Sequence, residues 1–173
     1  DEELTFLKTV HPEQEDHHKL NYPLWLEDDL KDRFGDKFEK EMNAFNDRAP
    51  LTLRIVRNRK EIEAFLEEKE VEFIPGIHAN SALIIQEHVQ IRDWAIYKNG
   101  LVEIQDEAAQ LAVKLAEIKP GQQVMDLCAG AGGKTLAAAS YMQNKGQVYA
   151  FDIVENKLKE LKTRSKRAKT HIL

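Results

Sequence analysis

One stretch, from Gly121 to Asp152, restricts what this chain can fold into more than any other. It reads Gly-Gln-Gln-Val-Met-Asp-Leu-Cys-Ala-Gly-Ala-Gly-Gly-Lys-Thr, then an alanine-rich segment, then Gly-Gln-Val-Tyr-Ala-Phe-Asp. Val124 to Cys128 is a short, mostly apolar run, the pattern of a buried strand. Ala129 to Gly133 is a turn of glycine and alanine, and Thr135 to Met142 has helical composition. Gln147 to Phe151 is a second apolar strand that ends on Asp152. A strand, glycine loop, helix, strand and terminal acid form a unit that binds nucleotide-like cofactors. The glycines let backbone approach the ligand, and the acid can accept hydrogen bonds from ribose hydroxyls.

Two common cofactor loops each fail here by one glycine. A phosphate-cradling loop requires Gly-x-x-x-x-Gly-Lys-[Ser/Thr]; Gly133-Lys134-Thr135 supplies its end, but Cys128 stands at its first glycine. A dinucleotide fingerprint requires Gly-x-Gly-x-x-Gly; Gly130 and Gly132 fit, but Thr135 holds the third place. The remaining layout, Asp126 before the loop, Gly130-x-Gly132 within it and Asp152 beyond, resembles the S-adenosylmethionine loop of methyltransferases. The resemblance implies a cofactor site made of Asp126, Cys128, Ala129, Gly130, Ala131, Gly132, Gly133, Lys134 and Asp152. Asp126 and the loop amides would meet the amino acid end of the cofactor, and Asp152 the ribose. The competing reading is a glycine loop that only turns the chain between strand and helix.

The longer string Asp126-Leu-Cys-Ala-Gly-Ala-Gly-Gly-Lys-Thr135 resembles the first motif of the Fmu/Sun family of RNA cytosine-C5 methyltransferases. Gly100-Leu-Val-Glu-Ile-Gln-Asp-Glu-Ala-Ala-Gln110 is similar to the family segment leading into the methyltransferase domain. Tyr22-Pro-Leu-Trp25 and Asn46-Asp-Arg-Ala-Pro-Leu-Thr-Leu-Arg54 resemble the small domain that precedes it. The resemblance covers nearly everything from Tyr22 onward. Ala131 departs from it, since many members carry proline there; proline has no N–H, so no amide needed by the cofactor is lost. The resemblance implies S-adenosylmethionine as cofactor and an RNA partner, rRNA or tRNA.

With 173 residues, 42% hydrophobic and 32% charged, the chain can bury a core beneath a well-solvated surface. No apolar run approaches a membrane span, and the opening Asp-Glu-Glu is no signal peptide. A single cysteine excludes an intrachain disulfide and suits a reducing, cytoplasmic setting. The net charge of −5 does not point to nucleic acid, yet its distribution is uneven. Residues 1–50 carry 7 Lys/Arg against 14 Asp/Glu, whereas residues 153–173 carry 7 against 2. Such asymmetry is compatible with a local nucleic-acid face.

Residues 1–20 read as a polar tail or linker with His11, His17 and His18, and without the Cys or further His at ligand spacing that a metal site needs. Trp25, Leu26, Leu30 and Phe34, then Phe38, Met42 and Phe45, mark two amphipathic helices with aromatic stripes turned to the core. Leu51–Val56, Val71–Ile77 and Ser81–Ile85 read as strands, with a helix over Glu61–Lys69 between the first two. Residues 21–98 therefore form a small α/β domain around one sheet. The family resemblance makes this domain RNA-contacting, with Arg54, Arg57, Arg59 and Lys60 as candidates; ordinary surface charge is the alternative. Leu101 to Ile104 is a short strand, and Asp106 caps a helix whose face is Leu111, Leu115 and Ile118. A basic helix follows over Glu155–Arg167; a solvated face is the ordinary reading of its cations, and the charge asymmetry raises RNA contact by Lys157 to Arg167 as the alternative.

Residues 99–173 form the S-adenosylmethionine-binding part, and His171-Ile-Leu173 begins a further strand. The fold class is α/β: a small N-terminal α/β domain followed by the first half of a Rossmann-like methyltransferase domain. Family members attack carbon-6 of cytosine with a cysteine thiolate, using cysteines that the resemblance places after residue 173. No catalytic residue is therefore assigned in this chain, and Cys128 is not given the nucleophile's role. The expected function is that of an RNA cytosine-C5 methyltransferase, with these 173 residues inactive, cofactor-poor and prone to self-association alone, and about 120 residues more completing the domain. The alternatives are a non-enzymatic RNA-binding or assembly module and a methyltransferase for another substrate.

Overall fold

A computed structural model describes residues 16–173. His11 lies outside the described residues, while His17 and His18 stack with ring centroids 4.0 Å apart. Among the described residues, no group of three or more His, Cys, Asp or Glu side chains is placed to hold a metal ion. No helix among them is long and apolar enough to cross a membrane. The chain divides into two compact units, Asp1–Ala49 and Pro50–Leu173.

The first unit is helical. Helices α1 (Asp16–Lys19), α2 (Glu27–Phe34) and α3 (Phe38–Asn46) are joined through 3-10 turns at Leu24–Leu26 and Gly35–Lys37. Helix α2 opens on Glu27, Asp28 and Asp29 and closes with Lys31 and Arg33, charges that match the helix dipole at both ends. Among the described residues of this unit, the buried side chains are Tyr22 and Met42. Tyr22 meets Phe38 edge-on at 5.4 Å and donates its hydroxyl to Glu27 Oε2 at 3.0 Å. The aromatic stripe is core only in part, because Trp25 and Phe45 are 80% and 74% exposed. Trp25 sits in the tighter 3-10 turn, whose three-residue period takes it out of line with Leu30 and Phe34. Phe45 stands in the last turn of α3.

The second unit begins with a four-stranded sheet. Its elements run β1 (Leu51–Ile55), α4 (Arg59–Glu68), β2 (Phe73–Pro75), β3 (Ala82–Ile85), α5 (Ala95–Lys98) and β4 (Val102–Ile104). The spatial order is β2-β3-β1-β4, and all neighbours are antiparallel. This is the split β-α-β arrangement of ferredoxin-like sheets. Pro75 lies on edge strand β2, where a missing N–H is tolerated. Ile62 and Leu66 of α4 pack on Leu53, Leu83, Ile85 and Val102, all almost completely buried. Strand β4, assigned from the sequence to the part beyond residue 98, completes this sheet by pairing Arg54 with Glu103 and Ile55 with Val102.

From β4 the chain continues through α6 (Glu107–Leu115), β5 (Gln123–Asp126), α7 (Gly133–Tyr141), β6 (Gln147–Ala150) and α8 (Glu155–Arg167). Asp106 caps α6 by accepting from the amides of Ala108 at 2.8 Å and Ala109 at 3.4 Å. The buried face of α6 differs from the apolar one read in the sequence. Gln110 and Val113 turn inward, and Leu115 is 79% exposed. Gln110 is drawn in because its amide donates to Gln105 O at 3.0 Å and accepts from the Ser81 hydroxyl at 2.7 Å. Strands β5 and β6 pair in parallel, with Val124 opposite Val148 and Met125 opposite Tyr149. Helix α7 crosses between them and buries Thr135 through Ala139; apart from Leu136 these are small side chains that permit close approach to the sheet. Val148 N donates to Ile172 O at 2.7 Å, so residues 171–173 run beside β6 as a further strand would.

Candidate functional site

The carboxyl ends of β5 and β6 lie side by side, and the glycine loop is held between an acid from each. The ladder extends past the strands, since Phe151 N donates to Asp126 O at 2.8 Å and Ala129 N to Phe151 O at 2.9 Å. Asp126 accepts from Cys128 N at 3.3 Å and, on its other oxygen, from the Thr135 hydroxyl at 2.7 Å. Asp152 accepts from Val154 N and from Gly130 N, both at 2.8 Å. Those two amides, Val154 foremost, hold the Asp152 carboxyl below its ordinary range against a smaller desolvation cost. Asp152 is therefore ionised at neutral pH and keeps lone pairs for further donors.

Glycine is required at position 132. Its φ of +89° is left-handed, and a Cβ there would stand 2.7 Å from Leu161 Cγ. At Gly130 a Cβ would meet nothing within 4 Å, so open space faces the loop. Ala129 is buried, Cys128 and Lys134 are exposed, and Gly133 opens α7. The first-turn amides of such a helix have no intrahelical acceptor. Ala131 contributes its carbonyl, which accepts from Arg164 Nη1 at 3.0 Å.

Arg164 leads to a buried ionic cluster. Glu103 is 0% exposed. Its Oε2 accepts from Arg164 Nη2 and Arg167 Nη2 at 2.8 Å each, and its Oε1 from Arg167 Nη2 at 2.7 Å. The Arg167 guanidinium also lies 3.9 Å from the centroid of the Tyr97 ring. Across the β-ladder from Glu103 is Arg54, only 4% exposed, donating to Gln105 Oε1 at 2.7 Å. Burial pulls the Arg54 guanidinium down to about 10, while Glu103 pushes it up. Arg54, one of the candidate RNA contacts, is therefore almost completely buried beside Glu103. It lies on the face of β1 opposite Leu53, and that face is covered as well, since Thr52, Leu53 and Arg54 are all buried. Arg59 pairs with Glu63 at 2.7 Å and donates to Asn80 O at 2.6 Å; Arg57 donates to Asn99 O at 3.0 Å; Lys60 is exposed. Arg54 and Arg57 line one cavity, and each of the three arginines already holds a protein acceptor.

Residues 113–172 match the family described as 16S rRNA methyltransferase RsmB/F, and residues 22–92 match the ferredoxin-like domain of RsmF/B-like methyltransferases. The chain belongs to the RsmB/F methyltransferase family. It is 31% identical over 147 residues to Ribosomal RNA small subunit methyltransferase B of Vibrio cholerae, covering 83% of this chain and 34% of that protein. The Yersinia enterocolitica protein of the same name is 32% identical over 162 residues, covering 90% and 37%. A solved structure of a methyltransferase homologue from Pyrococcus horikoshii superimposes with a TM-score of 0.81 at 25% identity, covering 90% of this chain and 52% of that one. The chain thus spans about a third of the length of the curated relatives it matches. Its fold is a ferredoxin-like α/β domain followed by the start of a methyltransferase fold.

Sequence reading of this RsmB/F chain missed Thr135, Glu103, Arg164 and Arg167 as a supporting shell. Thr135 carried a signal, because a hydroxyl nine residues after Asp126 falls in the first turn of the helix that follows the loop. Glu103 carried none, since one acid among 30 does not announce its burial.

Proposed function

We propose that this chain supplies the cofactor loop and part of the RNA-facing surface of an S-adenosylmethionine-dependent methyltransferase acting on cytosine C5 of ribosomal RNA in the cytoplasm. The observation that carries the reading is the glycine loop pinned at one end by Asp126 and at the other by Asp152. The residues present fit the cofactor: space is open before Gly130, and an ionised carboxylate stands beside it. Asp152 would accept the ribose hydroxyls with its remaining lone pairs. The first-turn amides of α7 and the loop at Cys128–Lys134 would face the amino acid end. Asp126 would fix the loop through Cys128 N and the Thr135 hydroxyl. When bound, S-adenosylmethionine supplies an electrophilic methyl group. Cys128 lies on the cofactor loop and is not the nucleophile in this reading.

Family membership and the rRNA methyltransferase names of its relatives support the substrate class. The test is a calorimetric titration of S-adenosylmethionine into the parent and the Asp152→Ala variant. Losing hydrogen bonds to a charged acceptor should weaken binding by about ten- to a hundredfold. Parental affinity in the variant would remove Asp152 from the ribose site.

A further inference from the structure

A polar groove of about 450 Å³ runs between the end of the ferredoxin-like sheet unit and helix α8. Arg57, Lys98, Lys166, Arg167 and Lys169 line it, against one carboxylate, Glu61. In a chain with a net charge of −5, five cations around one concave surface are a local reversal of sign. Two of them are fixed before any ligand arrives. Arg57 is held by the Asn99 carbonyl at 3.0 Å, and Arg167 by buried Glu103 and the Tyr97 ring. Glu61 is partly occupied, since it accepts from Asn58 Nδ2 at 2.9 Å. Lys166 and Lys169 extend into solvent. Lys98 does likewise, with only a 4.0 Å contact to Asp93.

We infer that this groove is a binding site for the sugar-phosphate backbone of single-stranded RNA. Fixed guanidiniums at the floor and mobile ammonium groups at the rim suit a chain of regularly spaced anions. Bases would remain free of the groove, because no exposed aromatic ring lines it. Helix α8 contributes to the groove and, through Arg164, holds Ala131 of the cofactor loop. One element thus serves the RNA backbone and the loop. The inference rests on the proposed RNA substrate, and it narrows the contact surface to the groove, keeping Arg57 and the last cations of α8 from the sequence candidates and adding Lys98 and Lys169.

The experiment compares the parent with two charge-matched triple variants. One carries Lys98→Gln, Lys166→Gln and Lys169→Gln in the groove; the other carries Lys114→Gln, Lys119→Gln and Lys145→Gln on exposed surface elsewhere. Affinity for a single-stranded RNA oligonucleotide is measured from about 50 to 200 mM salt. The groove variant should lose about tenfold in affinity and lower the magnitude of the log–log salt slope by roughly 2, while the surface variant binds like the parent. Parental binding by the groove variant overturns the inference and leaves the proposed function standing. Equal losses in both variants reduce the effect to net charge and also overturn it. A parent that does not bind RNA at all removes the RNA reading on which the inference rests.

Discussion

Glu103 is the residue on which the second unit converges. It sits on β4, receives Arg164 and Arg167 from α8, and faces Arg54 across the ladder. Glu103→Ala would strand several buried guanidiniums without their counter-charge. Breaking a buried pair from one side costs about 3–5 kcal/mol, and denaturant unfolding should show a loss of that size. A loss under about 1 kcal/mol would mean that the cluster behaves as an exposed ion pair. The same residues show where reading by type fails. Arg54 and Arg57 are indistinguishable as letters, yet β1, covered on both faces, buries one and the loop after it leaves the other on a groove. Asp126, Gly130, Gly132 and Asp152 were legible because each sits at a position where backbone geometry restricts the choice. The structure brings these four together in the expected loop.

At the scale of elements, helix α6 depends on an anchor at its N-terminus. Glu107 Oε1 accepts from Ala79 N at 2.7 Å and His78 N at 2.6 Å, tying the helix to the loop before β3. These amides, Ala79 first, hold the Glu107 carboxyl below its ordinary value of 4.5. A depressed folded-state value means that the anchor's stability is fully present above 4.5 and is lost as pH falls through the folded value. Glu107→Gln should therefore be less stable than the parent at neutral pH, with the difference shrinking below pH 4.5 in unfolding curves. A gap constant across that range would show that the amides do not prefer the ionised form. Element positions were largely legible, because apolar periodicity and the Asp106 cap mark them. The rotation of α6 was not, because Gln110 is buried for the bonds it makes and apolar periodicity ignores polar anchors. The pairing of β4 with β1 was also hidden, since a three-residue strand carries no mark of its partner.

At the scale of the molecule, the parallel pair β5–β6 has two unequal faces. Val124 and Val148 turn toward α7, where they pack with Ala139 and Met142. Val124 is thus covered by the alanine-rich helix. Met125 and Tyr149, opposite each other in register, turn outward and are 60% and 42% exposed. Leu127 at 67% and Phe151 at 50% continue this surface past the strand ends. Parallel sheets are ordinarily covered on both faces, and contiguous exposed apolar surface with strand edge beside it is a template for association. The 173-residue chain should therefore self-associate as its concentration rises, which sedimentation velocity would register as a growing fast-moving fraction. Replacing Met125 and Tyr149 with lysine should reduce that fraction, because the two charges would face each other across the pair and leave the Val124–Val148 packing untouched. A parent that remains monomeric throughout would show that its surface charge outweighs this face. Equal association by parent and variant would place the contact elsewhere.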